Sequence, residues 1–165
     1  MTSQNSILAV DPEEGQAVSI GGGSYRILIS GEQTGGSYAV IDMLVPPGAG
    51  PGPHAHKDIQ EMFYVAEGEV EFKKKDGPYL AKKGAFVNIP FGGQVHGFKN
   101  KSGAVAHLIC TVVPAGLDSF FKEIGKPIDA GIFLPPAPPS PEQMEKIKIL
   151  GEKYGQEFYP PDYLD

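Results

Sequence analysis

Three histidines and one glutamate lie at spacings that suit a transition-metal site. His54 and His56 are two residues apart, so on a β-strand both side chains point to the same face. Residues 57–60 can form a turn or bulge that returns Glu61, on the next strand, to the same place. His96 lies in a later, short apolar segment and supplies a third imidazole. Because imidazole and carboxylate ligands suit Mn, Fe, Ni, Cu or Zn, we predict one divalent transition-metal ion at these four residues.

The alternative for each histidine is an ordinary core or surface role, which is the commoner one for a lone histidine in a β protein. Three of the four histidines in the chain have metal-ligand spacing beside a suitably placed glutamate, which favours the metal site. His107, the fourth histidine, has no ligand paired with it in the sequence. We therefore interpret His107 as a structural or surface residue.

The elements that must position these residues are short strands. From Tyr25 to Val113, short segments rich in Val, Ile, Phe and Tyr alternate with Gly, Pro, Asp or Asn clusters about every 8 to 15 residues. This pattern is typical of an all-β barrel or jelly roll with eight strands. The predicted strands are Tyr25–Ile29, Tyr38–Val45, His54–His56, Glu61–Ala66, Val70–Lys73, Ala85–Ile89, Val95–Phe98 and Ala104–Val113.

After Val113 the apolar period becomes helical. One predicted helix ends at Gly125 and presents an apolar stripe of Leu117, Phe120, Phe121 and Ile124. A second begins at Ser140, which fits an N-cap, and its stripe is Met144, Ile147, Leu150 and Tyr154. The proline-rich segment 134–141 between the helices is predicted to be an extended spacer, with recognition by an SH3-type partner as the alternative.

Length, charge and cysteine content exclude several classes of protein. A chain of 165 residues has the length of one domain, which we place at 1–165, with a barrel core at about 25–113 and an extension at about 114–165. The net charge of −6 argues against nucleic-acid binding and against binding to anionic membranes. No segment has the roughly 18 apolar residues of a membrane span. Cys110 is the single cysteine, so no intramolecular disulfide can form, and we expect a cytoplasmic location.

Two motifs in this chain resemble the paired motifs of the cupin superfamily. The first is Gly48-x5-His54-x-His56-x4-Glu61-x6-Gly68, a complete match to the family pattern. The second is Gly84-x5-Pro90-x-Gly92-x3-His96-x3-Asn100, which has one residue more than the family pattern between Gly92 and His96. The resemblance implies a double-stranded β-helix, or jelly-roll barrel, with a metal at its mouth. The segments after the barrel are similar to those of single-domain cupins related to quercetin 2,3-dioxygenase. Homodimer formation is expected from the same family.

Three functions are compatible with such a site. The first is a dioxygenase that acts on a small enol or aromatic substrate. Around an octahedral ion, four protein ligands leave two coordination positions open, as such an enzyme requires. Glu61, if it loosens from the metal, is then the candidate catalytic base. Phe63, Val65 and Phe98 share faces with the ligands and are candidates for a substrate pocket, with plain barrel core as the alternative. The other two functions are a metal-dependent isomerase or lyase, and a non-enzymatic module that binds a small ligand or a metal.

Overall fold

The computed structural model describes residues 6–165, and ten strands follow one another between Ala17 and Val113. In chain order the first ten are β1 (Ala17–Ile20), β2 (Gly23–Ile29), β3 (Ala39–Val45), β4 (His54–Ala55), β5 (Gln60–Glu67), β6 (Glu69–Lys74), β7 (Tyr79–Lys82), β8 (Phe86–Ile89), β9 (His96–Lys99) and β10 (Ala106–Val113). The remaining elements are α1 (Leu117–Ile124), β11 (Lys126–Ile128), α2 (Pro141–Lys153) and β12 (Glu157–Phe158).

Within residues 6–165 the strands form two antiparallel sheets. The larger has the spatial order β11-β1-β2-β3-β10-β5-β8, and the smaller has the order β12-β4-β9-β6-β7. The all-β jelly-roll architecture with two short helices, predicted from the segment pattern and the family resemblance, is therefore confirmed.

The core lies between the two sheets. In β10 every second residue is buried, which is the alternation expected of a strand with one face toward an apolar interior. Across the interior, the rings of Phe63, Phe72 and Phe98 pack with centroids 5.2 to 5.4 Å apart in tilted or edge-to-face arrangements. These three rings form an apolar floor that one strand of the larger sheet and two strands of the smaller sheet share.

Helix α1 lies against the barrel through its apolar stripe. Leu117 and Phe120 are buried, and the ring of Phe121 meets Tyr25 of β2 edge-to-face at 5.3 Å. The helix ends at Gly125, as predicted, where the Gly125 backbone N–H donates to the Phe121 carbonyl at 2.8 Å. Asp118, in the first turn, is buried and accepts hydrogen bonds from two backbone groups outside the helix.

Helix α2 begins with the predicted capping box, in which Ser140 and Gln143 satisfy each other's backbone N–H. Only part of its predicted apolar stripe is covered: Leu150 is buried, whereas Met144 is exposed. The reason is that the covered end of α2 packs against α1 and β12, while the N-terminal half has solvent on its outer face. Neither helix in residues 6–165 has the length and hydropathy needed to cross a membrane.

Four strands were not predicted from the sequence. β7 is an edge strand in which only Ala81 is buried, so its residues lack apolar alternation. β11 and β12 contain three and two residues, which is too short for any periodicity. β1 places the start of the sheet at Ala17, earlier than the predicted core boundary at Tyr25. The proline-rich spacer passes over the turn between β1 and β2, where Pro136 lies against Gly22.

Candidate metal centre

The fold brings all four predicted ligand residues together at one end of the barrel. His54 of β4 and His96 of β9 are directly paired across the smaller sheet, His56 follows β4, and Glu61 lies on β5 of the larger sheet. One potential ligand atom from each residue lies within 4.8 Å of those of the other three. Sequence reasoning therefore found every member of this cluster, which joins the two sheets.

The three histidines of the cluster share one hydrogen-bond arrangement. The Nδ1 atom of His54 lies 2.9 Å from the Gly52 carbonyl, that of His56 lies 3.0 Å from the Ile59 carbonyl, and that of His96 lies 2.8 Å from the Gln94 carbonyl. Because a carbonyl oxygen only accepts, each Nδ1 carries the proton. In the neutral ring Nε2 then keeps a free lone pair, which is the form that ligates a metal.

Among residues 6–165, this cluster contains one carboxylate, that of Glu61, and the residue is 3% exposed. Its Oε2 atom lies 2.9 Å from Nε2 of His56 and 3.4 Å from Nε2 of His96. Burial by itself raises the pKa of Glu61, but hydrogen bonds from the two histidines outweigh burial and hold it well below its ordinary value. Glu61 is consequently an anionic oxygen donor.

The protonation of His54 and His56 differs in the metal-free protein. Burial, together with the nearby charge of His96, lowers the pKa of His54 to about 4, so this ring is neutral near pH 7. Burial also acts to lower the pKa of His56, but its hydrogen bond to Glu61 outweighs burial and raises it. A proton on Nε2 of His56 and a metal cation compete for the same lone pair.

The thiol of Cys110 completes the surroundings of Glu61. Its Sγ atom donates to Oε1 of Glu61 at 3.3 Å, on the side of the carboxylate that the histidines leave free. Burial, followed by the charge of Glu61, raises the pKa of Cys110 well above its ordinary value, so the thiol stays protonated. Sequence analysis missed this contact, because the two residues are 49 positions apart and belong to different strands.

The donor set fits a divalent transition metal. Three imidazole nitrogens and one carboxylate oxygen are the ligand types that Mn, Fe, Ni, Cu and Zn accept, and the oriented Nδ1–H groups provide the outer support that such ligands need. The neutral thiol of Cys110 donates a hydrogen bond to Glu61 and is not one of the candidate ligand atoms.

A cavity of about 320 Å³ opens on the cluster. His54 and Glu61 are on its wall, and the barrel adds Ile20, Tyr25, Met43, Phe63 and Phe98. Two of the three predicted pocket residues, Phe63 and Phe98, thus line the cavity. Val65 is fully buried in the core and is not among the lining residues. It lies four residues beyond Glu61 on β5, roughly 13 Å along the strand.

The C-terminal extension supplies the opposite wall. The residues concerned are Leu117, Phe120, Phe121, Ile124, Ile147, Gln156, Phe158 and Tyr159. The sequence predicted the apolar stripes of both helices but gave no signal that these stripes face a cavity, because a stripe over a cavity and one over a packed core have the same period. No pattern in the sequence indicates that Gln156 lines a cavity.

His107 is remote from the cluster. Its Nε2 atom pairs with Asp42, which also accepts from the guanidinium of Arg26 at 2.7 Å. The three side chains are partly exposed and stand on strands β10, β3 and β2. The interpretation of His107 as a structural or surface residue agrees with this position.

Residues 41–112 match the family model Cupin_2, described as the cupin domain. Among curated proteins, quercetin 2,3-dioxygenase of Bacillus subtilis (strain 168) is 26% identical over 137 residues, which make up 83% of this chain and 39% of that protein. This chain therefore spans well under half of the length of that relative.

Solved structures of low sequence identity share the fold. KdgF from Halomonas sp. aligns with a TM-score of 0.60 at 16% identity, over 70% of this chain and 99% of that one. An RmlC-like cupin from Shewanella frigidimarina NCIMB 400 aligns with a TM-score of 0.58 at 23% identity, over 71% and 99%. A predicted oxalate decarboxylase from Thermotoga maritima aligns with a TM-score of 0.58 at 22% identity, over 65% and 99%. At these identities the likeness establishes the fold alone.

Proposed function

This chain carries a cupin domain, and from the cluster in its barrel we propose that it is a metal-dependent dioxygenase that acts on a small aromatic or enol substrate. The observation that carries the proposal is the junction between the His/Glu cluster and the cavity of mainly apolar and aromatic residues that opens on it. The likeness to a quercetin 2,3-dioxygenase over 83% of the chain supports the choice of reaction.

The lining of the cavity favours a flat apolar substrate. Seven of its lining residues are phenylalanine or tyrosine, five from the barrel and α1 and two, Phe158 and Tyr159, from the chain after α2. Their ring faces and edges suit an aromatic ligand. Among the described residues that line the cavity, none is a lysine or an arginine. A phosphorylated substrate would lose its hydration there without gaining a cationic partner. The cavity therefore fits an aromatic enol better than a sugar phosphate.

His54, His56, Glu61 and His96 are the residues that would hold the metal. A redox-active ion bound by them would supply the one-electron chemistry through which dioxygen reacts with an organic substrate. A dioxygenase transfers both oxygen atoms of dioxygen to the substrate, so no separate reductant is needed. The contacts of the three Nδ1 atoms with backbone carbonyls orient the imidazoles before an ion binds.

Glu61 is our candidate for the catalytic base. Its carboxylate borders the cavity, where the hydroxyl of a bound enol can approach it. Because Glu61 is also a candidate metal ligand, this role requires that its carboxylate loosens from the ion, which leaves an oxygen free to take up a proton. A carboxylate that faces the substrate under these conditions can accept the enol proton.

Metal analysis followed by oxygen consumption tests the proposal. We expect mass spectrometry of untagged protein to find about one Fe, Mn, Ni or Cu per chain, and quercetin to elicit oxygen uptake by that protein. Glu61→Gln should abolish uptake, whereas His107→Ala, a substitution outside the cluster, should leave it unchanged.

Other outcomes identify the other functions. Zinc alone, with no oxygen uptake, would contradict the dioxygenase and favour a Lewis-acid isomerase or lyase. Thermal stabilisation by a ligand without turnover would favour a binding module. A chain that takes up no metal even after reconstitution would contradict the metal site itself.

A further inference from the structure

One residue in the wall of the cavity, Gln156, has a polar side-chain atom that the protein leaves without a partner. Among residues 6–165, Nε2 of Gln156 is the buried side-chain nitrogen or oxygen atom that has no hydrogen bond within the protein. Gln156 is 6% exposed, so bulk solvent does not surround this donor. A buried donor without a partner is unfavourable, and native proteins seldom retain one without a ligand or another use for it.

The backbone holds Gln156 in a defined place beside the cluster. Its own N–H donates to the Gly151 carbonyl at 2.8 Å, immediately after the end of α2. One residue later, Glu157 pairs with Ala55 of β4, and Phe158 pairs with His54. Because side chains alternate along a strand, Gln156 and Phe158 lie on the face that His54 occupies, and all three line the cavity.

The neighbouring polar groups have partners of their own. Glu61 accepts from His56, His96 and Cys110. The Tyr159 hydroxyl donates to Glu157 at 3.0 Å, and Nδ1 of His54 bonds the Gly52 carbonyl. The Gln156 amide is thus a donor that no side chain in this wall engages.

We propose that the side-chain amide of Gln156 is a specificity-determining group, which turns toward the cavity when a ligand binds and donates a hydrogen bond to an oxygen atom of that ligand. This inference rests on the proposed function in one respect, that the cavity binds the substrate. It names the substrate class more closely: a flat aromatic molecule that carries a carbonyl or hydroxyl oxygen where Gln156 can reach it. An amide donor without charge suits a neutral oxygen acceptor, whereas a carboxylate or phosphate would call for a cation.

A matched pair of ligands and a matched pair of variants test the inference. Quercetin supplies the oxygen acceptors, and 2-phenylnaphthalene has the same ring skeleton without oxygen. Affinities are measured by fluorescence titration of the purified full chain, without dioxygen so that turnover does not interfere. We expect Gln156→Leu to weaken quercetin binding about tenfold or more while 2-phenylnaphthalene binds as well or better.

The control is Gln60→Leu, the same substitution at a side chain that instead bonds Asn88 and does not line the cavity. It should change neither affinity. Gln156→Met, which keeps the length of the side chain and removes the donor, should lose the preference for quercetin as Gln156→Leu does. Because Gln156→Leu removes an unpartnered donor, its melting temperature should equal or exceed that of the wild type.

Equal losses for both ligands would assign Gln156 a merely structural role and overturn the inference, and so would unchanged quercetin affinity. Failure of the proposed function gives a different result. The metal-loaded wild type would then consume no oxygen, but it would still prefer quercetin to 2-phenylnaphthalene, and Gln156→Leu would still lose that preference. A wild-type chain that binds neither probe would overturn the inference together with the proposed substrate class.

Discussion

At the scale of single residues, the candidate metal centre is defined by which atom of each side chain is already engaged. The three Nδ1 atoms bond backbone carbonyls, so the rings are oriented by the main chain and their Nε2 atoms point into the cluster. Cys110 engages the other oxygen of Glu61. The cluster is therefore pre-organised by contacts on its outer side.

Removing a candidate ligand should have a larger effect than removing an outer partner. We expect His96→Ala to weaken metal binding beyond the about 10- to 100-fold loss that is typical of outer partners. His107→Ala is the control, because His107 pairs with Asp42 away from the cluster. Metal content after dialysis against a competing chelator measures both. Equal losses in the two variants would contradict the ligand assignment.

Cys110 provides a second prediction at this scale. Cys110→Ala removes the donor to Oε1 of Glu61, and we expect metal affinity to fall about tenfold. Cys110→Ser retains a hydrogen-bond donor of similar size, so its metal affinity should fall less than that of Cys110→Ala. Competition titration with a metal indicator distinguishes the two variants. If serine and alanine weaken binding equally, packing around the thiol matters and its hydrogen bond does not.

At the scale of elements, the C-terminal extension completes the cavity, and a buried carboxylate fastens it. Oδ2 of Asp118 accepts from the Gly31 N–H at 2.9 Å, and Oδ1 accepts from the Gly116 N–H at 3.0 Å. The first bond joins the start of α1 to the chain after β2, and the second caps the first turn of α1. The same helix carries four of the cavity-lining side chains, so this junction also positions part of the site.

Asp118→Ala should therefore destabilise the protein. It leaves two backbone N–H groups without their acceptor, and an unsatisfied buried donor costs about 1–3 kcal/mol in the free energy of unfolding. Asp118→Asn keeps an acceptor oxygen and should cost less. Urea unfolding measures the losses, with Glu142→Ala, an exposed acidic residue in the first turn of α2, as a control within about 0.5 kcal/mol of wild type. A loss in the control equal to that of Asp118→Ala would contradict this role.

At the scale of the whole molecule, pH links folding and metal binding. The pKa of His54 is lowered to about 4 in the folded chain from an ordinary value of 6.5, so the unfolded chain takes up this proton first as pH falls. His54 thus reduces the free energy of unfolding between about pH 6.5 and 4. The raised pKa of His56 acts in the opposite direction. Its contribution to the free energy of unfolding is fully present below about pH 6.5 and is lost as pH rises through the pKa of His56 in the folded chain.

The opposing effects make the difference between metal-loaded and metal-free protein the informative quantity. Because a ligating imidazole must be neutral, we expect metal content and the metal-dependent increase in melting temperature to be lost together between about pH 6 and 5. Calorimetry with and without a chelator, at a series of pH values, measures the increase. Metal content that stays constant below pH 5 would contradict a histidine site.

Assembly is also a property of the whole molecule. The homodimer expected from the family resemblance stays a prediction for this chain, and light scattering in solution measures it. A mass of about twice 17.6 kDa would agree with the prediction. A monomer at micromolar concentration would contradict it.

The sequence by itself determined the parts of this protein that depend on local spacing. The two-residue interval between His54 and His56 gave them one direction, and the apolar and glycine patterns predicted most strands and both helices. The capping box at Ser140 located the start of α2. The short strands β11 and β12 escaped prediction because their three and two residues show no apolar alternation.

The tertiary structure alone decided what faces the cluster. Cys110 meets Glu61 across 49 positions of sequence, and Asp118 meets Gly31 across 87. Gln156 reaches the cavity because a two-residue strand pairs beside His54. No local pattern encodes such contacts, since they depend on which strands become neighbours in the sheets. The sequence thus predicted the candidate ligands, whereas the cavity and its unpartnered donor follow from the topology.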